Sequence, residues 1–320
     1  MDLSNWINTE DIICHYTSLD SAASIIESGE FRFSNVAKSI DLSEKALYQF
    51  NFGETSHSRD NDLTRHEHPE LLDSIRRGLI CYTKNAQIAC FCQNQYYNLG
   101  DKDHPFNVIR KKCYMNPRMW EQYGDKYFGA CLLFSKKQLE EALRKSKAVF
   151  SHGVVKYEDD LRSRFRLLQI DLDLFFDIKD DNQCIDIYKK NYDKTLLMKD
   201  SDYISEKEYR IIVHEDNPFS LNITNAIKGI AFFYCYSKEQ VRNLAKEGIR
   251  LLGLAFSDKN VDTQAASIEK LLNKKHLKLY NTATNHNLPI IRLDSNETGL
   301  TECLPDRWEE IRKISSKNSI

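Results

Sequence analysis

Asp11-Ile12-Ile13-Cys14-His15-Tyr16-Thr17-Ser18, followed by Leu19-Asp20-Ser21-Ala22-Ala23-Ser24-Ile25-Ile26-Glu27-Ser28-Gly29, is the stretch that decides the fold. Its apolar start reads as a buried strand that ends in polar residues. Ser18-Leu19-Asp20 supplies caps for a helix through Ile26, which Gly29 stops. Phe31-Arg32-Phe33-Ser34 then alternates as a second strand does.

The same mixture continues outward. Helical spacing covers residues 38–52, a short segment 69–77, 116–125 with Pro117 in its first turn, 136–148, 182–198, and 237–247 capped by Ser237. Strand patterns cover 87–92, 129–135, 154–157, 208–214, 228–236, 251–256, 277–280 and 289–293. Residues 53–70 are polar, with three His, and read as an exposed loop; the tail from Lys313 reads as frayed. Strands and helices do not alternate strictly, which predicts an α+β fold rather than a doubly wound sheet. No repeat or Pro/Gly/Ser-rich linker divides the chain, so the expectation is one elaborated domain over residues 1–320.

The 320 residues carry 45 Lys plus Arg against 47 Asp plus Glu, a net charge of −2, so only a local patch could favour nucleic acid. Two basic segments interleave with aromatics: Arg110-Lys111-Lys112 before Tyr114, and Arg162, Arg164 and Arg166 around Phe165. No apolar run reaches the roughly 18 residues of a membrane span. Met1-Asp2-Leu3-Ser4-Asn5-Trp6 lacks the basic start and apolar core of a secretory signal. Cys81, Cys90, Cys131 and Cys235 lie in apolar runs and read as small buried hydrophobes. The expectation is a cytoplasmic protein with reduced thiols.

Several chemistries lack their motif. There is no GxGxxG, GxSxG, HExxH or CxxC, and Gly124 and Gly129 are followed by Ala130-Cys131 where a phosphate loop needs Lys and Ser/Thr. Cys90-x-Cys92 and His66-x-His68 are too closely spaced for a structural zinc site, so no metal is expected.

Four segments place polar groups where a fold usually places apolar ones. His15-Tyr16-Thr17 end the first strand, and Phe33-Ser34-Asn35 end the second. Trp120 and Tyr123, three apart, share a helical face and form either a stacking wall for a heterocycle or core. Glu206-Lys207-Glu208-Tyr209-Arg210 enters a strand, and in extended chain 206, 208 and 210 share a face. Two carboxylates beside a guanidinium suit acid–base or oxocarbenium-stabilising chemistry, or a charged strand edge.

Taken in order, His15-Tyr16-Thr17-Ser18, the run Ser28 to Asn35, Ile88-Ala89-Cys90-Phe91, Met119-Trp120-Glu121-Gln122-Tyr123 with Gly129, and Glu206-Lys207-Glu208-Tyr209-Arg210 resemble the DUF2971 family, a bacterial domain associated with abortive infection. The resemblance covers residues 13 to about 214, leaving 215–320 as further strands and helices of the domain or an extension. Ser34-Asn35-Val36-Ala37 departs from the family's Asn-Asp-Pro-like segment. More distantly, the opening and the late glutamate are similar to ADP-ribosyltransferase folds. That likeness implies a mixed-sheet core with helical insertions and NAD as substrate. It implies His15 orienting NAD, Glu208 as catalytic residue with Glu206 as partner, and Tyr16, Thr17, Ser34 and Arg210 in the NAD site. Trp120 or Tyr123 would be the nicotinamide platform on chemical grounds. The function so implied is a mono-ADP-ribosyltransferase acting as toxin or antiphage effector, with RNA, DNA or protein as acceptor and an antitoxin or chaperone as partner. The alternatives are a nuclease toxin using His15 and a carboxylate, and a non-enzymatic interaction module whose polar residues only satisfy one another.

Overall fold

The computed structural model describes residues 9, 11–39, 54–55, 69–98, 107–159, 167, 170–171, 181–233, 261–296 and 299–302. In chain order the elements begin with β1 (Ile12–Thr17), α1 (Leu19–Ser28), β2 (Glu30–Arg32), β3 (Ser34–Asn35), β4 (Glu54–Thr55), α2 (Pro69–Lys84), β5 (Ala86–Gln93), β6 (Gln95–Asn98) and β7 (Asn107–Lys111). They continue with α3 (Pro117–Gln122), β8 (Ala130–Ser135), α4 (Lys136–Ser146), β9 (Phe150–Val154), β10 (Lys156–Glu158), β11 (Ile170–Asp171), α5 (Asp181–Leu196) and β12 (Met198–Asp200). The last are β13 (Glu208–His214), β14 (Ser220–Asn222), β15 (Ile227–Phe233), α6 (Val261–Asn285), β16 (Ile290–Asn296) and β17 (Gly299–Glu302). The protein is α+β, and two compact units emerge: residues 1–30, 94–139 and 223–320 form one, and 31–93 and 140–222 the other.

In the first unit the strand order is β17-β16-β15-β8-β1, mixed because β15 and β16 run parallel while the other neighbours are antiparallel. Every residue of β8 is buried, as a central strand covered on both faces requires. The helix after β1 starts and stops on local chemistry. Ser18 Oγ accepts from the Ser21 amide at 3.2 Å, and Gly29 takes the left-handed conformation (φ 66°) and donates its N–H to Ile25 O at 3.0 Å. A side chain at Gly29 would also meet Thr224 Oγ1 at 2.7 Å. β8 passes into α4 without a loop because Asp11 caps the junction: its carboxylate accepts from Ser135 Oγ at 2.6 Å and from the Lys137 amide at 2.9 Å. α1 packs against α6.

In the second unit β5 pairs with β3 and with β13, and β13 pairs with β9, all antiparallel. α2 and α5 pack together over a core of Val36, Leu79, Ala86, Ile88, Tyr188, Tyr192, Leu196 and Ile212. Ile88 and Ile212 sit opposite one another in the β5–β13 register.

Some sequence expectations change. Residues 277–280 are helix, not strand: they lie inside α6, whose buried Leu272, His276, Leu279 and Ala283 recur every three or four residues. The four-residue window was too short to separate that period from alternation. The helix expected over 69–77 runs on to Lys84. The strand expected at 154–157 is two strands, interrupted at Val155. The expected reduced thiols give way at one pair, since Cys14 and Cys113 are disulfide-bonded. Cys81 is exposed rather than buried. Of the expected helix at 38–52 only Lys38, which ends a short 3-10 turn (Val36–Lys38), and its C-cap Ser39 are described. The elements expected at 237–247 and 251–256, together with Cys235, lie outside the described residues. Among the described residues no helix is long and apolar enough to cross a membrane.

Candidate functional site

The chain enters β13 through a six-residue 3-10 helix, Ser201–Glu206, capped by Asp200, whose side chain accepts from the Asp202 amide at 3.0 Å. Lys207 then adopts left-handed backbone (φ 48°, ψ 51°), which few residues without glycine's freedom do. The kink separates Glu206 from Glu208, and both carboxylates are buried. Glu208 and Arg210 share one face of β13, as alternation demands.

These groups form a closed ionic cluster with Lys199. Lys199 Nζ lies 2.7 Å from Glu206 Oε2 and 3.7 Å from Glu208 Oε1. Arg210 donates to Glu208 Oε2 twice, from Nε at 3.0 Å and from Nη2 at 2.7 Å, and its Nη1 donates to Leu196 O at 2.7 Å. The exposures are 3% for Lys199, 0% for Glu206, 3% for Glu208 and 1% for Arg210. Two cations and two carboxylates balance. Burial works against the charged form of Lys199, but Glu208 and Glu206 outweigh it and hold its pKa above the ordinary value, with Arg210 opposing. Lys199 also sits 4.4 Å above the Tyr203 ring. Tyr157 Oη accepts from the Glu208 amide at 2.8 Å. Burial, then the charges of Glu208 and Glu206, push the Tyr157 phenol up; the hydrogen bond from the Glu208 amide and the charge of Arg210 oppose them.

Glu208 is therefore held by one oxygen. Oε2 carries both arginine bonds, while Oε1 takes no hydrogen bond from the described residues and faces Lys199 at 3.7 Å.

The opposite face of β13 carries a second network. Tyr209 Oη donates to Glu140 Oε1 at 2.8 Å and lies 2.6 Å from His152 Nδ1. Since the phenol proton points at Glu140, His152 donates from Nδ1. Burial, followed by the bond and charge of Glu140, pushes the Tyr209 phenol up, with Arg144 opposing.

The other candidates fall in different places. Ser34 is exposed in β3, opposite Ile88, and Asn35 caps the next turn through the Ala37 amide at 2.8 Å. In the first unit, His15 is half-buried in β1, opposite Leu132, and Thr17 ends the strand. Tyr16 is buried and its hydroxyl donates to Cys113 O. Trp120 is 0% exposed; its Nε1 donates to Tyr114 O at 2.8 Å, and Tyr16 and Phe233 meet its ring edge-on, each with centroids 5.0 Å away. The tryptophan is core in this structure, with no face open to stack on nicotinamide. Tyr123, at the C-cap of α3, is 40% exposed. Gly129 lies where a side chain would strike Thr17 O at 2.2 Å, so only glycine lets that loop pass the end of β1. The candidates thus divide between the units, with Glu206, Glu208 and Arg210 brought together in the second and Tyr16 and Trp120 in the first.

Sequence reading missed Lys199, Tyr157, Glu140 and His152. The one local signal was Lys199, a cation directly after the apolar run Leu196-Leu197-Met198. Of the basic segments, Lys111 donates to Asn116 Oδ1 at 3.4 Å and Lys112 lies 5.7 Å from the Tyr114 ring centroid, while Arg162, Arg164 and Arg166 lie outside the described residues. Among the described residues no group of three or more His, Cys, Asp and Glu is placed to hold a metal ion.

The sequence profile of a family described as a protein of unknown function, DUF2971, matches residues 119–211. The match runs from Met119 in α3 to Ile211 in β13 and includes the whole ionic cluster. No curated protein and no solved structure matches the chain.

Proposed function

Taking residues 119–211 as carrying the DUF2971 signature, we propose that the protein is an NAD-dependent mono-ADP-ribosyltransferase in which Glu208 is the catalytic carboxylate. The observation that supports this reading is the one-sided grip on Glu208: Arg210 fixes Oε2, while Oε1 takes no hydrogen bond from the described residues. A carboxylate fixed in this way is set to accept a bond from a ribose hydroxyl and to face the positive charge that develops as nicotinamide departs. In that step the C1′–N bond of NAD breaks with its electron pair going to nicotinamide. The acceptor's nucleophile bonds to C1′ and releases its proton to solvent. The proposal gives no geometry to His15, whose role comes from resemblance alone. The effector role against phage or host, the cytoplasmic setting, and the RNA, DNA or protein acceptor belong to the same proposal.

A second reading has its own support. All four charges of the cluster are buried and mutually satisfied, as in a purely structural ionic core. Nicotinamide release separates the two. Wild-type protein is incubated with NAD and, in turn, single-stranded RNA, DNA and a cell lysate. Free nicotinamide and acceptor-linked ADP-ribose are then measured by mass spectrometry. Release that falls about 10²–10³-fold in Glu208→Gln, with the variant folded by circular dichroism, supports the transferase. No release from wild type with any acceptor leaves the structural reading.

A further inference from the structure

His152 lies in β9 opposite Ile211, which makes it the diagonal neighbour of Tyr209 on one face of the β9–β13 pair. Phe150, two residues earlier on that face, stacks beside the imidazole with centroids 5.9 Å apart and planes 22° from parallel. α4 brings Glu140 to the same place, and Arg144 follows one helical turn on, its Nη2 3.4 Å from Glu140 Oε2. Tyr209 holds one nitrogen of the ring, and the His152 side chain is still 33% exposed.

The hydrogen bonds run in one direction. The Glu140 carboxylate offers only lone pairs, so Tyr209 Oη donates to it at 2.8 Å and accepts from His152 Nδ1 at 2.6 Å. Burial, then the bond and charge of Glu140, push the phenol up against the opposing charge of Arg144, so Tyr209 keeps the proton that fixes this direction. With a proton on Nδ1, the lone pair of the neutral imidazole is on Nε2, which takes no hydrogen bond from the described residues. A carboxylate behind one nitrogen of an imidazole makes the other more basic, and it meets the positive charge that the ring gains when that nitrogen bonds to an electrophile. Arg144, whose side chain is 59% exposed, adds a guanidinium on the far oxygen of the same carboxylate, a cation within reach of an anionic group brought to this edge.

We propose that His152 is a phosphoryl-acceptor site, modified at Nε2 by a small acyl phosphate. A nucleophile with a guanidinium nearby suits an electrophile that carries negative charge. The chain has no phosphate-cradling nucleotide loop, so the class that fits is a donor activated by its own leaving group. Nε2 bonds to phosphorus while the P–O bond to the acyl group breaks, and the electron pair of that bond leaves on the carboxylate. Nε2 carries no proton, so none has to be removed. Nδ1 keeps its proton, and the positive ring is stabilised through Tyr209 by Glu140. His152 is the nucleophile; Tyr209 and Glu140 are positioning residues that set which nitrogen reacts. The site lies on the face of β13 opposite Glu208 and does not depend on the transferase reading.

The test incubates the intact protein with acetyl phosphate at neutral pH. Peptide mass spectrometry under non-acidic conditions locates the phosphoryl group, and phosphorus NMR tells the two ring nitrogens apart. The expected result is a phosphoryl group on Nε2 of His152, formed about 10–100-fold faster than on the same residue of the urea-unfolded chain. Tyr209→Phe should slow the reaction about tenfold and let Nδ1 compete, a change of position that a merely structural role would not produce. Arg144→Gln should slow it while leaving the position at Nε2, and His152→Ala should abolish it. A His152 that stays unmodified overturns the proposal, as does a phosphoryl group on Nδ1, an acetyl group in its place, or a rate no faster than in the unfolded chain. The wild-type result decides the matter even where a variant does not fold.

Discussion

On one face of β13, Glu208 and Arg210 meet Glu206 and Lys199 with every charge removed from water; on the other, Tyr209 meets Glu140 and His152 in a network that reaches solvent. One residue of register separates them. The first face satisfies charge with charge, since water does not supply the missing partner there. The second joins a neutral phenol to a carboxylate whose side chain is 17% exposed and an imidazole that is 33% exposed. The two faces should therefore answer differently to loss of a single group: where desolvation is complete, the partner left behind is the problem, and at the edge water takes the vacated place.

Arg210→Met attacks the first face and should have the largest effect. It takes from Glu208 the guanidinium that holds it, leaves two buried carboxylates against the one cation Lys199 within the cluster, and removes the donor to Leu196 O. A loss of about 3–5 kcal/mol in urea unfolding is expected. Adding Glu208→Gln restores charge balance and should recover part of that loss. A single-variant loss below about 1 kcal/mol would show that the cluster is not desolvated as described.

His276 sharpens the contrast as a buried titratable group whose imidazole bonds to backbone carbonyl groups. Nδ1 lies 2.8 Å from Leu272 O, and burial, opposed by hydrogen bonds to Leu272 and Phe233, pushes its pKa from 6.5 down to about 4. The unfolded chain therefore binds a proton at higher pH than the folded one. This contribution to stability is fully present above about pH 6.5 and is lost as the pH falls toward 4, by up to about 3 kcal/mol. His276→Leu should flatten the stability profile across that window relative to wild type, measured as the urea midpoint against pH.

How much of this was legible depended on sequence distance. β1, α1 with its Ser18 and Gly29 boundaries, β8 and β13 followed from patterns a few residues long. The Glu206–Glu208–Arg210 half of the cluster was legible because alternation puts 208 and 210 on one face. Lys199 was not, because only a turn specific to this fold, through left-handed Lys207, folds it back onto them. Trp120 and Tyr123 show the limit of periodicity. Their spacing placed both on a helix, but whether the indole would be a ligand wall or core depended on Tyr16 and Phe233, far away in sequence. The second face of β13 was invisible for the same reason: Glu140 and His152 come from α4 and β9, and nothing near Tyr209 announces them.

Tyr209→Phe tests that second face at moderate strength. It removes the hydroxyl that donates to Glu140 and accepts from His152 without changing the ring packing, and should lose about 1–2 kcal/mol in the same unfolding experiment. A loss as large as that of Arg210→Met would mean the network is as dry as the cluster and would erase the contrast.

The smallest effect is expected from His152→Ala. The ring stacks loosely on Phe150, with centroids 5.9 Å apart, and donates one bond to Tyr209 Oη. Once it is gone, Tyr209 still donates to Glu140, and its vacated lone pair faces a site open enough for water to donate in place of Nδ1. The change should stay within about 0.5 kcal/mol. A double-mutant cycle between Tyr209→Phe and His152→Ala should then give a coupling near zero, while Tyr209→Phe with Glu140→Gln couples measurably because no water reproduces a phenol held against a half-buried carboxylate. If His152 instead couples to Tyr209 as strongly as Glu140 does, water does not reach the edge of β9, and exposure of the imidazole ceases to be what separates the two faces of β13.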